Sequence, residues 1–326
     1  MDIRLGVIEE VMSFWKGRVI LTAAELDIFT HLDGAPMTSK TTARKVGADV
    51  RALDRLLNAL CALGFLEKDG DVFRLSPRGE LLSARHPQTV RPMVMHFIGL
   101  WNNWSSLTDV VRQGRPAKHS GFDWDEEARN AFIGAMDAIG RDLSMTIADF
   151  FDGTRFKCLL DIGGASGTYT IAFLKKNPAM KAILFDLEPV TPIARERIQA
   201  EGLTDRVKIV PGNFYKDELP SNVDLALLSA IIHQNSPAQN LDLFKRIYRA
   251  LDPGGSLLIR DHIMEPSRTE PAAGTFFAIN MLVGTEGGDT YTFAEIKVGL
   301  EEAGFADVRL LRMGKQMDGL VQAEKL

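Results

Sequence analysis

The chain has 326 residues, of which 45% are apolar and 25% charged, and its formal net charge is −5. This length and apolar content suffice for a large hydrophobic core and predict two domains. The negative charge gives no reason to expect a polyanion, and no apolar run reaches the length of a membrane span, so we expect neither nucleic acid nor membrane as a partner.

The N-terminus, the two cysteines and the six histidines exclude further classes of protein. Residues 1–4 lack the basic region, apolar stretch and cleavage site of an export signal, so we predict a cytoplasmic protein. Cys61 and Cys158 have no spacing typical of a metal site or a redox pair, and both are expected in the core. The six histidines form no metal-binding motif, and no metal is expected.

The first segment, residues 3–31, carries apolar residues at helical spacing and predicts two helices. Their apolar surface, which includes Phe14 and Trp15, exceeds what one small domain can cover. We therefore expect it to be buried against a partner, and a second copy of the chain is the commonest solution.

The next segment predicts a winged helix. Thr38 and Asp49 are suitable N-caps for two helices, the second of which ends near Gly64. Residues 65–75 then predict a β-hairpin that turns at Asp69-Gly70. A winged helix raises the possibility of a DNA-binding regulator.

The charge of this region argues against DNA binding. Residues 1–100 contain thirteen Lys or Arg and twelve Asp or Glu. In the predicted recognition helix, Asp49 and Asp54 offset Arg51 and Arg55, whereas a DNA reader presents a basic face to phosphates. A non-catalytic regulator is therefore retained only as the less favoured alternative.

Residues 87–151 are predicted to be mainly helical and are rich in aromatic residues and methionine. Residues 114–121 predict a surface loop, and a helix beginning near Asp125 should lead into the second domain. A pocket lined by aromatic residues and methionines from this region and from further along the chain would favour a flat apolar ligand, although each residue alone is typical of a core: Trp101, Trp104, Phe132, Met136, Phe277 and Met281.

From residue 157 strands and helices alternate, which predicts an α/β fold with a mostly parallel sheet. The predicted strands are 158–162, 181–186, 206–210, 223–229, 255–260, 306–312 and 318–324. The predicted helices are 168–176, 190–201, 238–251 and 293–303.

A cluster of glycines follows the first of these strands. Gly163, Gly164 and Gly167 fall within five positions, where they allow positive φ or direct contact between a ligand and the main chain. Their spacing does not match the dinucleotide fingerprint. Asp186 ends the next strand, where an acid can bind two ribose hydroxyls. Together these features predict a nucleoside-binding turn.

Several motifs in the C-terminal half occur in a familiar order. Asp-x-Gly-Gly-x-x-Gly at residues 161–167 resembles motif I of class I methyltransferases, which use S-adenosylmethionine (SAM). The order and spacing of the whole series resemble the plant-type and bacterial small-molecule O-methyltransferases: residues 161–167, 185–187, 212–214, 232–233 and 251–255. Residues 14–16 and 25–29 resemble the opening of that family's dimerisation domain.

This resemblance implies a fold, a cofactor and a partner. The fold is a Rossmann-like class I methyltransferase with a seven-stranded mixed sheet, preceded by a mainly helical winged-helix dimerisation domain. The implied domains are residues 1–86 for dimerisation, 87–151 for a helical linker and substrate lid, and 152–326 for SAM binding. The implied assembly is a homodimer through the N-terminal helices.

The resemblance also assigns the cofactor site. Gly163 and its neighbours would hold the methionine part of SAM, Asp186 the ribose, and Asn213 with Phe214 the adenine. Asn213 replaces an acid that is common there, but its amide oxygen can still accept a hydrogen bond. Ser229 stands where the plant enzymes carry a lysine near the cofactor. The complete set is Gly163, Gly164, Ala165, Gly167, Asp186, Leu187, Gly212, Asn213, Phe214 and Ser229.

His233 matches the family's general base. An aryl hydroxyl has a pKa near ~10 and imidazole one near ~6.5, so a histidine against the hydroxyl can take its proton during attack on the methyl group. Two acids bracket the base in the plant enzymes. Their equivalents here are Asp261, which can orient the imidazole, and Thr290, which supplies no charge.

The expected reaction is methyl transfer from SAM to a hydroxyl of an aromatic or conjugated small molecule. The departures at Ser229 and Thr290, together with Gln234-Asn235 in place of Asp-Trp, leave the substrate open. A C-methyltransferase of the same fold that acts on a tetrapyrrole- or quinone-like substrate is the alternative, with which residues 318–323 are compatible.

Overall fold

A computed structural model describes residues 2–116 and 126–326. The described residues divide into two compact units, one of residues 2–102 with 126–138 and the other of residues 103–116 with 139–326. The stretch 87–151, which we predicted as a helical linker and lid, is thus shared between the units. No helix within the described ranges is long and apolar enough to span a membrane.

The first unit contains the predicted winged helix. Its helices are α1 (Ile3–Met12), α2 (Phe14–Glu25), α3 (Ile28–Leu32), α4 (Ser39–Val46), α5 (Val50–Ala62), α6 (Pro77–Glu80), most of α7 (Arg91–Ser105) and the first half of α9 (Glu126–Phe150). Its strands are β1 (Met37–Thr38), β2 (Leu66–Asp69) and β3 (Val72–Leu75), which pair antiparallel in the order β1-β3-β2.

Local capping confirms the predicted helix starts. The Thr38 hydroxyl accepts a hydrogen bond from the Thr41 amide at 3.2 Å, and the Asp49 carboxylate accepts one from the Ala52 amide at 2.9 Å. Each cap satisfies an amide that has no partner inside the helix. Leucines of α5 then fill the core of this unit: Leu53, Leu57 and Leu60.

The prediction of two helices in residues 3–31 is wrong, because three helices form there. The backbone leaves helical geometry at Asp27, which has a φ of +52° between α2 and α3. Periodicity alone does not reveal such a break, since the apolar spacing continues through it. No residue of α1 is buried, and Trp15 at the start of α2 is 55% exposed, so the apolar surface of α1 and of the start of α2 is uncovered in a single chain, whereas the end of α2 and α3 contribute to the core.

The second unit is built on a seven-stranded sheet. Its strands are β4 (Cys158–Ile162), β5 (Lys181–Asp186), β6 (Val207–Pro211), β7 (Val223–Ser229), β8 (Leu251–Asp261), β11 (Ala306–Arg312) and β12 (Gly319–Glu324); a separate pair consists of β9 (Ile263–Met264) and β10 (Tyr291–Thr292). The sheet order is β11-β12-β8-β7-β4-β5-β6, and β12 is antiparallel to both of its neighbours. The predicted mixed sheet of a class I methyltransferase is confirmed.

Helices cover both faces of this sheet. They are part of α9 (Glu126–Phe150), α10 (Thr168–Lys176), α11 (Thr191–Ala200), α12 (Pro237–Ala250) and α14 (Phe293–Glu302). Two further helices, α8 (Leu107–Gln113) and α13 (Ala272–Gly284), contact each other, and α13 also contacts β9. Successive strand residues point to opposite faces. Leu159 and Leu225 accordingly pack with Phe173 of α10, and Leu160 and Ala226 belong to the core that contains residues of α12 and α14.

In this unit, the structure differs from the predicted elements mainly in one strand boundary and in one helix that was not predicted. The strand predicted for residues 255–260 is longer, because Leu251 already pairs with Val223 before the register shifts. Helix α13 was not predicted, because it is apolar on almost all sides and lacks an amphipathic period. Gly114 ends α8 with a positive φ, as the start of the predicted loop requires. The described residues do not include the rest of that loop, residues 117–121, or the predicted helix start near Asp125.

Two helical glycines provide a matched test of the packing. A Cβ on Gly79 of α6 would lie far inside contact distance of the Phe65 carbonyl oxygen, whereas one on Gly99 of α7 would meet nothing within 4 Å. We expect Gly79→Ala to lower the free energy of unfolding by about 1–3 kcal/mol, and Gly99→Ala to leave it unchanged or raise it by up to about 1 kcal/mol. Urea unfolding measures both. Equal effects of the two substitutions would contradict this packing.

Candidate active site

The glycine turn lies at the carboxyl ends of β4 and β5. Gly163 and Gly167 have φ values of +70° and +78°, a region that glycine enters without steric cost. The Gly163 amide donates to the Phe185 carbonyl at 2.8 Å, which ties the turn to β5. A Cβ on Gly164 would stand 2.8 Å from Leu184 Cγ, so the close packing of the turn on β5 requires glycine there.

Asp186 is fixed by the same turn. One carboxylate oxygen accepts a hydrogen bond from the Ala165 amide and the other from the Leu187 amide, each at 2.7 Å. Burial raises the pKa of Asp186, and these two amides oppose that rise. Each carboxylate oxygen can accept a further hydrogen bond, so the side chain can still serve hydroxyl donors.

Asp161, at the start of the glycine motif, is a buried acid to which the sequence assigned no role of its own. Its carboxylate accepts a hydrogen bond from the Thr170 hydroxyl at 2.6 Å. Burial raises the pKa of Asp161 to about 6, with a further upward contribution from Asp186, while the Thr170 hydrogen bonds oppose it. The glycine turn is thus flanked by two acids that are costly to ionise.

The segment predicted to bind adenine follows β6. The Gly212 amide donates to the Asp186 carbonyl at 2.8 Å, and a Cβ on Gly212 would overlap the Phe185 ring. The Asn213 amide oxygen, expected to face the adenine, accepts a hydrogen bond from the Tyr215 amide at 2.9 Å within its own loop. The ring of Phe214 lies 4.4 Å from that of Tyr215.

His233 lies in a 3₁₀ turn, Ile232–Gln234, just after β7. Its Nδ1 is 2.9 Å from both carboxylate oxygens of Asp261, which ends β8. His233 is 8% exposed and Asp261 is fully buried. Burial alone would raise the pKa of Asp261, but His233, Arg260 and the His262 amide lower it below its ordinary value. Because Nδ1 faces this carboxylate, Nε2 is the nitrogen left for a substrate.

A buried polar network holds the turn that carries His233. The Asn235 side chain accepts from the Tyr215 hydroxyl and donates to Asn240 at 2.9 Å, and its carbonyl accepts from the Tyr291 hydroxyl. The Asp289 amide also donates to the His233 carbonyl at 2.9 Å. Gln234 joins the network by donating to the Tyr215 hydroxyl at 3.1 Å. The sequence did not predict this network, because its members are far apart in the chain.

Phe277 of α13 lies between two histidines. Its ring centroid is 4.8 Å from that of His233 and 5.0 Å from that of His262. Burial lowers the pKa of His262 to about 4, so this imidazole is neutral near pH 7. Thr290, expected beside the base, donates its hydroxyl to the Gly274 carbonyl at 3.3 Å.

The six residues predicted to line a substrate pocket are divided between the two units. In the second unit, Phe277 and Met281 lie one turn apart on α13, and Trp104 donates to the Asn280 side chain of that helix at 2.9 Å. In the first unit, Trp101 lies beneath the Arg18 guanidinium at 5.5 Å, Phe132 contacts His96 with ring centroids 5.2 Å apart, and Met136 is partly buried. The lining of a pocket by these six residues stays a prediction.

Replacing Asp161 by asparagine measures the cost of its buried charge. Its pKa is raised in the folded chain, so the penalty is absent below its unfolded value near ~3.9 and complete above its folded value of about 6. We expect Asp161→Asn to raise the free energy of unfolding at pH 8 by on the order of 2 kcal/mol, and the gain to shrink as the pH falls toward ~4. Urea unfolding without ligand at pH 5 and pH 8 measures this.

The matched control is Thr170→Val, which removes the hydroxyl that stabilises the Asp161 carboxylate. This variant should lose more stability at pH 8 than at pH 5. An Asp161→Asn gain that is the same at both pH values would show that the carboxyl does not titrate in this range.

Models of two protein domain families match the two halves of the chain. A model of the O-methyltransferase domain matches residues 104–306, and one of the O-methyltransferase dimerisation domain matches residues 9–85. The first match alone spans more than half of the chain. Both matches agree with the sheet and the winged helix described above.

Individual relatives match over nearly their whole length. The chain is 33% identical to the tetracenomycin polyketide synthesis 8-O-methyl transferase TcmO of Streptomyces glaucescens, with 93% of this chain and 91% of the relative covered. It is 28% identical to the phenazine O-methyltransferase PhzM of Lysobacter antibioticus, with 94% and 92% covered. The solved structure of LaPhzM superimposes over 100% of both chains with a TM-score of 0.91 and 26% identity. The chain therefore belongs to the O-methyltransferase family and is an enzyme that uses SAM as its cofactor.

Proposed function

We propose that this enzyme transfers the methyl group of SAM to a hydroxyl of a flat aromatic molecule, with His233 as the general base. The observation that carries the proposal is the buried contact between His233 Nδ1 and Asp261 at 2.9 Å, at the carboxyl ends of β7 and β8. In an open α/β sheet, ligands bind beyond the carboxyl ends of the strands. The glycine turn lies at the same edge, after the adjacent strand β4.

The groups around the glycine turn fit SAM, which supplies an electrophilic methyl group when bound. Gly163, Gly164, Ala165 and Gly167 would present main chain to its methionine part. Asp186, with Leu187 beside it, would accept hydrogen bonds from the ribose hydroxyls, and the buried carboxylate held by two amides supports this role. Gly212, Asn213 and Phe214 would contact the adenine.

His233 and Asp261 divide the proton chemistry between them. The Asp261 carboxylate accepts the Nδ1 hydrogen bond of His233, which fixes the ring and leaves Nε2 to take the hydroxyl proton of the substrate. As the imidazolium forms, the negative charge of Asp261 stabilises it. The rate then depends chiefly on alignment of the substrate oxygen with the methyl group, because in-line transfer benefits from orientation.

A fused aromatic ring system is the substrate class that we favour. The named relatives act in tetracenomycin polyketide synthesis or on a phenazine, and both are O-methyltransferases, which favours oxygen over carbon as the acceptor. Phe277, Met281 and Trp104 place apolar surface on and beside α13, next to His233. Such a surface suits a planar apolar ligand.

Methyl transfer from radiolabelled SAM to a panel of acceptors tests this function. We expect label in naphthols, hydroxyquinones and hydroxyphenazines, and none in matched compounds whose hydroxyl is already methylated. Label recovered in the methylated compounds would indicate carbon as the acceptor. SAM binding without transfer to any acceptor would favour the non-catalytic regulator.

The base assignment predicts a loss of turnover without a loss of cofactor. His233→Ala should lower kcat by roughly 10²–10⁴-fold, because the acceptor hydroxyl must ionise without help, while the Kd for SAM changes little. Asp261→Asn should cost less and move the acidic limb of the pH–rate profile to lower pH, since a neutral amide stabilises an imidazolium less.

His262→Ala is the matched control for this test. His262 contacts the same Phe277 ring, but its imidazole has no carboxylate partner among the described residues. Its loss should therefore reduce kcat far less than that of His233. Full activity of His233→Ala at neutral pH would refute the assignment of the base.

We further propose that residues 1–86 form a symmetric homodimer. The exposed apolar residues of α1 and of the start of α2 need a cover, and the match to a dimerisation domain supports a second copy. Light scattering at micromolar concentration should give about twice the mass of one chain. Val11→Glu with Trp15→Glu should shift the mass toward one chain, and a monomeric wild-type protein would contradict the proposal.

A further inference from the structure

Arg260, the residue before Asp261 in β8, is a buried cation whose charge helps to lower the pKa of Asp261 and to which no ligand has been assigned above. The residue is 6% exposed. Its Nε donates to the Ser229 hydroxyl at 2.8 Å, its Nη1 donates to the Met317 carbonyl at 2.7 Å, and its guanidinium lies 5.0 Å from the centre of the Tyr169 ring. The side chain is thus held in one position by three neighbours.

The positive charge of Arg260 has no direct counterion in the described part of the chain. Within the described residues no carboxylate lies within 4 Å of its guanidinium. Asp261, the next residue of β8, attracts it over a longer distance, but that carboxylate is held by His233. A buried charge without a partner is costly, so such charges are usually paired with an anion. A guanidinium has five N–H groups, and here each of its three nitrogens uses one of them. The contact of Nη2, to the Met317 sulfur at 3.7 Å, is weak. Two N–H groups therefore remain for a ligand.

The neighbours of Arg260 place this charge beside the glycine turn. Ser229 is the last residue of β7, and the preceding residue of that strand, Leu228, pairs with Ile162 immediately before Gly163. Tyr169 is the second residue of α10, the helix that the glycine turn begins. The guanidinium therefore contacts β7, the strand next to β4 in the sheet, and α10, the helix that follows the turn.

We propose that Arg260 binds the α-carboxylate of the methionine part of SAM. This assignment rests on the proposed placement of SAM at the glycine turn. The methionine part ends in a carboxylate, and a guanidinium binds carboxylates through two parallel hydrogen bonds. Ser229 is expected at the cofactor site, and its hydrogen bond with Arg260 shows that the neighbouring strand β8 supplies a cation beside it.

The contact between Arg260 and the carboxylate is tested by comparing how the wild-type enzyme and Arg260→Met bind two ligands. The ligands are SAM and decarboxylated SAM, which keeps the adenosine, the sulfonium and the amine. Calorimetry without acceptor should show that the wild-type enzyme binds SAM at least tenfold more tightly than decarboxylated SAM. In Arg260→Met, which keeps a long side chain but no charge, affinity for SAM should fall at least tenfold, affinity for decarboxylated SAM should not fall, and the preference should disappear.

A second variant separates loss of the charge from damage to the fold. Ser229→Lys combined with Arg260→Met returns a cation to the same place from β7, so it should restore the preference for SAM. An Arg260→Met enzyme that keeps the preference would overturn the assignment. Equal losses for both ligands would also overturn it, because they would indicate a structural role or an effect on Asp261. Failure of the wild-type enzyme to bind SAM would instead refute the proposed site as a whole.

Discussion

The buried pair of His233 and Asp261 is the contact on which our account of the chemistry depends. A fully buried carboxylate costs free energy unless other groups stabilise it. Here the imidazole, the Arg260 guanidinium and the His262 amide do so, and together they keep the pKa of Asp261 low. The carboxylate is consequently charged at neutral pH and able to orient a histidine and stabilise its protonated form.

The sheet brings these groups to one edge. Strands β4, β7 and β8 are parallel neighbours, so Gly163 after β4, the His233 turn after β7 and Asp261 at the end of β8 lie along the same edge of the sheet. Tyr215, in the loop after β6, reaches across to Asn235 beside His233. The loop proposed to contact adenine is thus hydrogen-bonded to the turn that carries the proposed base, and the two parts of the site share one polar network.

The sequence predicted those parts of the structure that follow from local chemistry. Strand β4, helix α10 and strand β5 have the predicted bounds because apolar strands, glycines and a terminal acid lie next to one another in the chain. Helix α13 was missed because it lacks a polar face, and the break at Asp27 because apolar spacing continues across it. Arg260 and the Asn235 network could not be predicted, since their partners are joined only by the fold.

The dependence of kcat on the acidity of the acceptor hydroxyl tests the central claim most directly. A series of substituted naphthols with graded pKa values should give a shallow dependence in the wild-type enzyme, because His233 takes the proton during attack. In His233→Ala the dependence should become steep, and acidic members of the series should recover much of the lost rate at high pH. If plots of log kcat against the pKa of the acceptor hydroxyl had the same slope for the two proteins, proton transfer to His233 would be contradicted.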